Sequence, residues 1–288
     1  MPRIAYVNGR YVPHRDATVH IEDRGYQFAD GVYEVVALLK GKMIDKARHL
    51  DRLERSLEAL SLDIPLSRRA MEFVLGQVVR RNRIANGLIY IQVTRGVAPR
   101  NHAFPKNAKP SFVVTVRPIP SFDKQAVLAG VKVITAPDIR WKRCDIKTIS
   151  LLPNAMLKQK AIEAGGFETW MTDDDGYITE GTASNAWIVT KAGELRTRKL
   201  GPNILSGITR AAVVDIAKRQ GLKLDEHSFT KDDVLDAQEA FLTSATSFVK
   251  PVTHIDGQPI GDGKAGDLTT RLLEWYAEFL ETGQVENG

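Results

Sequence analysis

Hydrophobic positions change period several times along the chain, and each change marks an expected element. Apolar residues in Ile4 to Val7 and Arg10 to Val12 flank Asn8-Gly9. Both of those turn residues tolerate positive φ, so the chain should open with a β-hairpin. Gly31 to Leu39 is rich in Val and Leu and reads as a strand, with Lys40-Gly41-Lys42 as its turn. From His49 to Leu62 the period becomes helical, and Leu50, Leu53, Leu57 and Leu60 form one apolar stripe. Ser67 is placed to cap a second helix whose apolar face carries Met71, Val74 and Val78. Leu88 to Thr94 and Phe112 to Val116 return to strand character.

The closely spaced prolines of Arg117-Pro118-Ile119-Pro120-Ser121-Phe122 remove backbone donors and stiffen the chain. They predict a domain boundary: a smaller N-terminal α/β domain over 1–118, a linker over 119–123 and a larger C-terminal α/β domain over 124–288. The alternative is a loop inside one domain. Beyond it, strands are expected at Val131 to Thr135, Glu168 to Thr172, Tyr177 to Thr179, Ala186 to Val189 and Ala240 to Thr243. Helices are expected over Asn154 to Ala164, Ile208 to Arg219 and Leu268 to Leu280, the last with Leu272, Trp275 and Phe279 on one face. Asp173-Asp174-Asp175-Gly176 reads as a hairpin turn, and Thr230-x-x-Asp233 as a capping box. The fold class is mixed α and β in two parts, without the strict strand–helix alternation of a doubly wound sheet.

Composition narrows the function classes. With 288 residues, 43% of them hydrophobic, the chain can bury a core without disulfides, and its one cysteine, Cys144, can form none within the chain. Cys144 reads as a buried small hydrophobe. Lys and Arg exceed Asp and Glu by only 40 − 35 = 5. Basic clusters are short, as in Arg80-Arg81-Asn82-Arg83, and lack the interleaved aromatics of a nucleic-acid surface. No apolar run approaches the ~18 residues of a membrane span, and no signal core opens the chain. A cytoplasmic protein with neither nucleic-acid nor membrane partners is expected, and the polar tail from Gly283 to Gly288 is expected to fray.

Familiar chemical signatures are missing: no phosphate-binding P-loop, H-E-x-x-H or G-x-S-x-G occurs, and the histidines and cysteine show no zinc-ligand spacing. No metal site is expected. Leu205-Ser206-Gly207-Ile208-Thr209 opens an expected helix, whose free N–H groups either seat an anion or form an ordinary terminus capped by Ser206. Arg100 and His102 lie on a loop stiffened by Pro99 and Pro105, suited to a carboxylate or simply solvated. Lys147 follows a charged stretch and leads into Ile149 to Leu152; a lysine entering apolar surroundings is a candidate Schiff-base amine, although most lysines are not.

Taken together, these segments resemble a known family. Glu22-Asp23-Arg24-Gly25-Tyr26-Gln27-Phe28-Ala29-Asp30-Gly31-Val32-Tyr33-Glu34-Val35 is similar to the first block of the D-amino-acid aminotransferases, class IV enzymes dependent on pyridoxal 5'-phosphate. Arg95 to Pro105 resembles their substrate-carboxylate loop, Asp138 to Leu152 their lysine segment, and Thr179 to Asn185 and Thr243 to Ser247 two cofactor segments. The matches follow the family's order from about Val7 to Leu280. The resemblance implies a two-domain fold type IV aminotransferase with the cofactor site between the domains. Lys147 would hold the cofactor as a Schiff base and shuttle the proton, and Glu180 would pair with the ring nitrogen. Arg52 would bind the phosphate with the amides of Gly207, Ile208 and Thr209, Ser244 belongs to the adjoining cofactor segment, and Thr246 would add a hydroxyl. A helix terminus contributes only about 0.3–1 kcal/mol to an exposed anion, so Arg52 and Lys147 would carry much of the retention.

The same resemblance makes Arg100, His102 and Tyr33 the trap for the substrate carboxylate, with Tyr33 and Val35 lining the side-chain pocket. In the family that Arg/His loop reaches the neighbouring subunit, which implies a homodimer. Arg140 falls at a family active-site arginine without an assignable role. The sequence departs from the family where Ala245 replaces a threonine and Thr182-Ala183 a serine pair. The implied activity is ping-pong transfer of an amino group from D-alanine or a similar D-amino acid to 2-oxoglutarate or pyruvate. The alternatives are an (R)-amine transaminase, a branched-chain aminotransferase or an aminodeoxychorismate lyase on the same fold, and more distantly a cofactor-free binding protein.

Overall fold

The structure is a computed structural model of the whole chain and describes residues 3–120 and 122–282. The tail from Gly283 lies outside the described residues. The chain divides into two compact units, one of residues 1–121 with 146–150, the other of 122–145 with 151–288. The segment Ile146–Ser150, expected with the C-terminal part, therefore packs with the first unit.

The first unit runs β1 (Ile4–Val7), β2 (Arg10–Pro13), α1 (Arg24–Phe28), β3 (Gly31–Leu39), β4 (Lys42–Met43), α2 (Lys46–Ala59), α3 (Arg68–Asn82), β5 (Gly87–Thr94) and β6 (Ser111–Pro118). Among the described residues its strands make one antiparallel sheet in the order β2-β1-β6-β5-β3-β4. The opening hairpin turns at Asn8 (φ 46°) and Gly9 (φ 94°), the left-handed pair that the sequence calls for. Helix α2 buries Leu50, Leu53 and Leu57 completely, and α3, capped by Ser67, buries Met71, Val74 and Val78. Together with Val32, Val36, Ile89, Ile91 and Val114 of the sheet they form one core. Leu60 stands at the end of α2 and is only partly buried.

The second unit runs α4 (Lys124–Leu128), β7 (Val131–Pro137), α5 (Leu152–Glu163), β8 (Glu168–Thr172), β9 (Ile178–Gly181), β10 (Asn185–Val189), β11 (Leu195–Thr197), α6 (Ile208–Arg219), β12 (Leu224–Asp225), α7 (Lys231–Asp236), β13 (Glu239–Ser244), β14 (Phe248–Ile255), β15 (Gln258–Pro259) and α8 (Asp267–Thr282). Its mixed sheet has the order β12-β11-β10-β13-β14-β7-β8-β9, with β15 on β14. The β14–β7 and β7–β8 pairs are parallel, and the hairpin neighbours are antiparallel. The capping box at Thr230 and Asp233 is formed. Helix α8 differs from expectation: it buries Leu272, Leu273, Tyr276 and Leu280, whereas Trp275 and Phe279 are only partly covered.

Candidate active site

In the first unit, the alternation of β3 sends Glu34 to the core side with Val32 and Val36, and leaves Tyr33 and Val35 half-buried on the other face. A carboxylate among core valines must be paired. Helix α2 supplies the partners, because His49, Arg52 and Ser56 follow one another at helical spacing beside its leucine stripe. Arg52 grips Glu34 with two bonds, Nε to Oε1 at 2.7 Å and Nη2 to Oε2 at 2.9 Å, and His49 Nδ1 lies 2.7 Å from Oε2. The guanidinium and imidazole outweigh the cost of burial and hold the Glu34 carboxyl down at about 2. Arg52 is thus a buried, oriented guanidinium.

The segment after Ile146 runs along the start of β3. Tyr33 N donates to Lys147 O at 3.0 Å, Ile149 N to Gly31 O at 3.1 Å, and Lys147 N to Ser56 Oγ at 3.3 Å. This places the Lys147 ammonium group 4.1 Å from the centroid of the Tyr33 ring. Lys147 and Tyr33, separated by most of the unit in sequence, are brought together; Val35 shares Tyr33's face. Arg100 and His102 lie on the exposed loop between β5 and β6, and both approach Phe28 of α1: the Arg100 guanidinium is 4.6 Å from its ring centroid and the His102 ring 5.5 Å.

In the second unit Glu180 is buried at the end of β9. Its Oε1 receives Arg140 Nη1 at 2.5 Å, its Oε2 receives Asn185 Nδ2 at 3.0 Å, and both oxygens face Leu205 N at 3.1–3.2 Å. Arg140 has a role here: it also bonds Asp138 through Nε and Nη2 at 2.9 and 2.7 Å, so one guanidinium serves two carboxylates. Burial dominates at Glu180 and pushes its carboxyl up to about 7, against the pull of Arg140 and the Leu205 amide. Asp138, with the better share of Arg140 and a bond from Thr179, is lowered instead.

Asn185 Nδ2 also donates to Leu205 O at 3.0 Å, which ties the acid to the turn that opens α6. The N-cap of that helix is Gly207, not Ser206 as the capped form would require, and Gly207 itself brings no side-chain cap. A Cβ at Gly207 would come within 2.0 Å of Asn185 Oδ1, so only glycine permits this approach. Ile208 and Thr209 are buried in the first turn. Ser244 Oγ and Thr246 Oγ1 stand 3.2 Å apart on the β13–β14 turn, with Ser244 also accepting from Ser247 N.

Sequence reasoning misses several supporting groups. Glu34 is signalled by its inward parity in β3, and His49 and Ser56 by their spacing from Arg52. Glu168 is fully enclosed and receives Thr182 Oγ1, Ala183 N and Ser184 Oγ at 3.0, 2.7 and 2.5 Å, buttressing the turn after Glu180. Burial raises its carboxyl despite those donors. Cys144 is buried, donates to Trp141 O and has its thiol pushed up to about 11 by burial, which leaves it an inert packing residue.

Residues 31–255 match the amino-transferase class IV family, and the chain belongs to it. It is a fold type IV, pyridoxal-phosphate-dependent aminotransferase. Among curated proteins, it is 42% identical to a D-alanine aminotransferase of Listeria innocua over 277 residues, 95% of each chain, and 43% identical to one of Bacillus licheniformis, over 92% of this chain and 93% of that one. Among solved structures, a branched-chain amino acid aminotransferase from T.th. with pyridoxamine 5'-phosphate superposes with a TM-score of 0.93 at 26% identity, covering 99% of this chain and 96% of that one. The Escherichia coli branched-chain enzyme, at 22% identity and a TM-score of 0.92 over 100% and 97% of the two chains, shows the fold alone.

The residues present fit the cofactor. Glu180 is a buried carboxylate sharing its one guanidinium, and a protonated pyridine nitrogen is the cation that such a group lacks. The glycine-restricted start of α6, the Ser244–Thr246 hydroxyls and Arg52 are donors of the kind a phosphate takes.

Proposed function

We propose that this chain transaminates D-amino acids, D-alanine or a similar one, with a 2-oxo acid such as 2-oxoglutarate or pyruvate as acceptor. The observation that best supports the site is the buried Glu180, whose one guanidinium is shared with Asp138 and which suits a protonated ring nitrogen. When bound, the cofactor supplies an electron sink for the substrate carbanion. The chain's residues supply the rest. The Lys147 amine, lying over Tyr33, would hold the cofactor covalently and, once the substrate's amino group displaces it from that bond, would carry the proton to and from the substrate's Cα. Glu180, steadied by Arg140, Asn185 and the Leu205 amide, keeps the ring nitrogen protonated. Arg52, Gly207, Ile208, Thr209, Ser244 and Thr246 bind the phosphate. Tyr33, Arg100 and His102 take the substrate carboxylate, and Val35 with Tyr33 lines the side-chain pocket.

The Arg100-x-His102 pair favours this reading over an amine transaminase. Hydrogen bonds to charged groups contribute about 1.5–3 kcal/mol each, so two of them favour a carboxylate-bearing substrate by some two to four decades. The 42–43% identity to D-alanine aminotransferases, against 26–27% to a branched-chain enzyme of the same fold, supports the D-series over the L-series. The proposal includes a linker over 119–123, residence in the cytoplasm, and a homodimer in which the Arg100/His102 loop reaches the neighbouring site. The exposed side chains of Ile21, Tyr26, Val97 and Phe104, which flank that loop in sequence or lie on it and the α1 segment, support the dimer.

The test is the visible spectrum of the purified holoprotein. D-alanine alone should bleach the yellow band of the bound cofactor and L-alanine should not, while Lys147→Ala should abolish turnover without unfolding the protein. Bleaching by an L-branched amino acid or an (R)-amine, but not by D-alanine, would replace the substrate assignment; normal steady-state rates in Lys147→Ala would remove the lysine's role.

A further inference from the structure

The loop from Pro99 to Phe104 is exposed, yet its backbone is anchored from beneath by one buried arginine. Arg24, 3% exposed at the start of α1, directs its guanidinium at three successive carbonyls: Nη1 donates to Asn101 O at 2.5 Å and reaches Ala103 O at 3.4 Å, and Nη2 reaches His102 O at 3.5 Å. Its Nε donates to Asp30 Oδ2 at 2.7 Å, an oxygen that also receives Arg95 Nε at 2.8 Å. Arg95 in turn is fixed by Ser61 O and Leu60 O, so the anchor is tied to the end of α2. One turn along α1, Phe28 presents its ring to three groups: the Arg24 guanidinium at 4.7 Å, the Arg100 guanidinium at 4.6 Å and the His102 ring at 5.5 Å.

An exposed arginine on a loop ordinarily samples many rotamers, and ordering it on binding costs free energy. A guanidinium stacked on an aromatic face has already met part of that cost. The anchoring also needs arginine: a planar fork can serve a carboxylate on one edge and carbonyls on the other, which a lysine ammonium cannot.

We propose that Arg24 and Phe28 are the positioning residues of the substrate-carboxylate loop, Arg24 setting its backbone and Phe28 setting the side chains of Arg100 and His102. Through them α1 governs how strongly the enzyme prefers a substrate that carries a carboxylate. This rests on the reading that Arg100 and His102 bind that carboxylate.

The experiment uses holoenzyme of Phe28→Leu, Phe28→Tyr, Arg24→Lys and Arg100→Ala. It measures kcat and KM for D-alanine and for a plain (R)-amine, and calorimetric binding of propionate, which has a carboxylate and no amine. Phe28→Leu and Arg24→Lys should raise KM for D-alanine and weaken propionate binding about tenfold, with kcat within about twofold and the amine barely affected. Phe28→Tyr, which keeps the ring, should restore both. Phe28→Leu should add little in the Arg100→Ala background, because the two act through one contact. Equal losses on both substrates in Phe28→Leu would reduce α1 to a structural support and overturn the proposal. An unchanged D-alanine to amine ratio in Arg100→Ala would overturn the carboxylate reading itself, and this proposal with it. Should Arg24→Lys fail to fold, the Phe28 pair decides the matter alone.

Discussion

Two buried glutamates, one in each unit, meet the same physical problem and end in opposite states. Glu34 has a guanidinium on two edges and an imidazole on a third side, so its charge is matched within the unit, and its carboxyl sits at about 2. Glu180 shares its guanidinium with Asp138 and is otherwise met by neutral donors, and its carboxyl sits at about 7. Burial raises both; the number of cations per carboxylate decides which way each one moves. The first arrangement is complete by itself and orients Arg52. The second is complete only when another cation arrives, which is the condition expected of a site that receives a protonated ring.

The comparison is broken most severely at Arg52. Arg52→Ala leaves Glu34 enclosed beside His49 alone, and removing one partner of a buried ion pair typically costs about 3–5 kcal/mol. Denaturant unfolding of the cofactor-free protein should show a loss of this size, and retention of the cofactor should fall as well. A variant as stable as the parent would mean that Glu34 is not held by its arginine.

Next in size is Glu180→Gln. A neutral amide cannot hold the ring nitrogen protonated, and loss of one preorganised electrostatic contact commonly lowers turnover by about a hundredfold or more. Because Glu180 is the under-paired member, the cofactor-free variant should lose far less stability than Arg52→Ala does. Unchanged kcat would show that another group sets the charge of the ring.

A gentler effect is the pH dependence of stability without cofactor, where the two residues should act with opposite sign. The folded-state value of Glu34 lies below the ordinary 4.5, so its stabilisation is present above about pH 4.5 and is lost as the pH falls towards 2. That of Glu180 lies above 4.5, so the folded protein binds the extra proton; its contribution is fully present below about 4.5 and is lost as the pH rises through 7. Thermal unfolding between pH 4.5 and 8 should carry a downward slope that Glu180→Gln flattens. If the slope survives that substitution, it belongs to another group such as the raised Glu168.

The two clusters also mark where sequence reasoning reaches and where it stops. Strongly periodic stretches are legible: Gly31–Leu39 and Ile208–Arg219 occur with the expected bounds. Strand β14 is not foreseen, because Pro251 and His254 interrupt its apolar run, and neighbouring strands supply the pairing that its own pattern does not advertise. On α8 the sequence points to the face of Leu272, Trp275 and Phe279; Leu272 is buried as expected, but packing against the sheet turns Leu273 and Tyr276 inward in place of Trp275 and Phe279. In the site, Lys147 and Glu180 stand in ordered motifs and can be named. The ion pairs around them cannot, since Glu34 meets Arg52 across 18 positions and Arg140 meets Glu180 across 40. Such pairings are set by the sheet register and the helix docking, which a local pattern does not contain.

Arg140→Lys probes the finest point of the contrast, the sharing of one cation between two carboxylates. The charge is kept, so Glu180 should not rise as far as a neutral residue would let it. The geometry is not kept: the guanidinium spends Nε and Nη2 on Asp138 and still reaches Glu180 with Nη1, whereas a single ammonium must favour one carboxylate. Asp138 has the backbone N–H of residue 140 and the Thr179 hydroxyl to hold it, so Glu180 is the group that loses. Turnover should drop about three- to tenfold, the pH at which kcat rises should move upward, and Arg140→Gln should extend both changes in the same direction. If Arg140→Lys instead behaves as the parent in rate and pH profile, the fork geometry is immaterial and only net charge near Glu180 counts, so that the contrast with the bidentate Glu34 pair rests on the number of cations rather than on their shape.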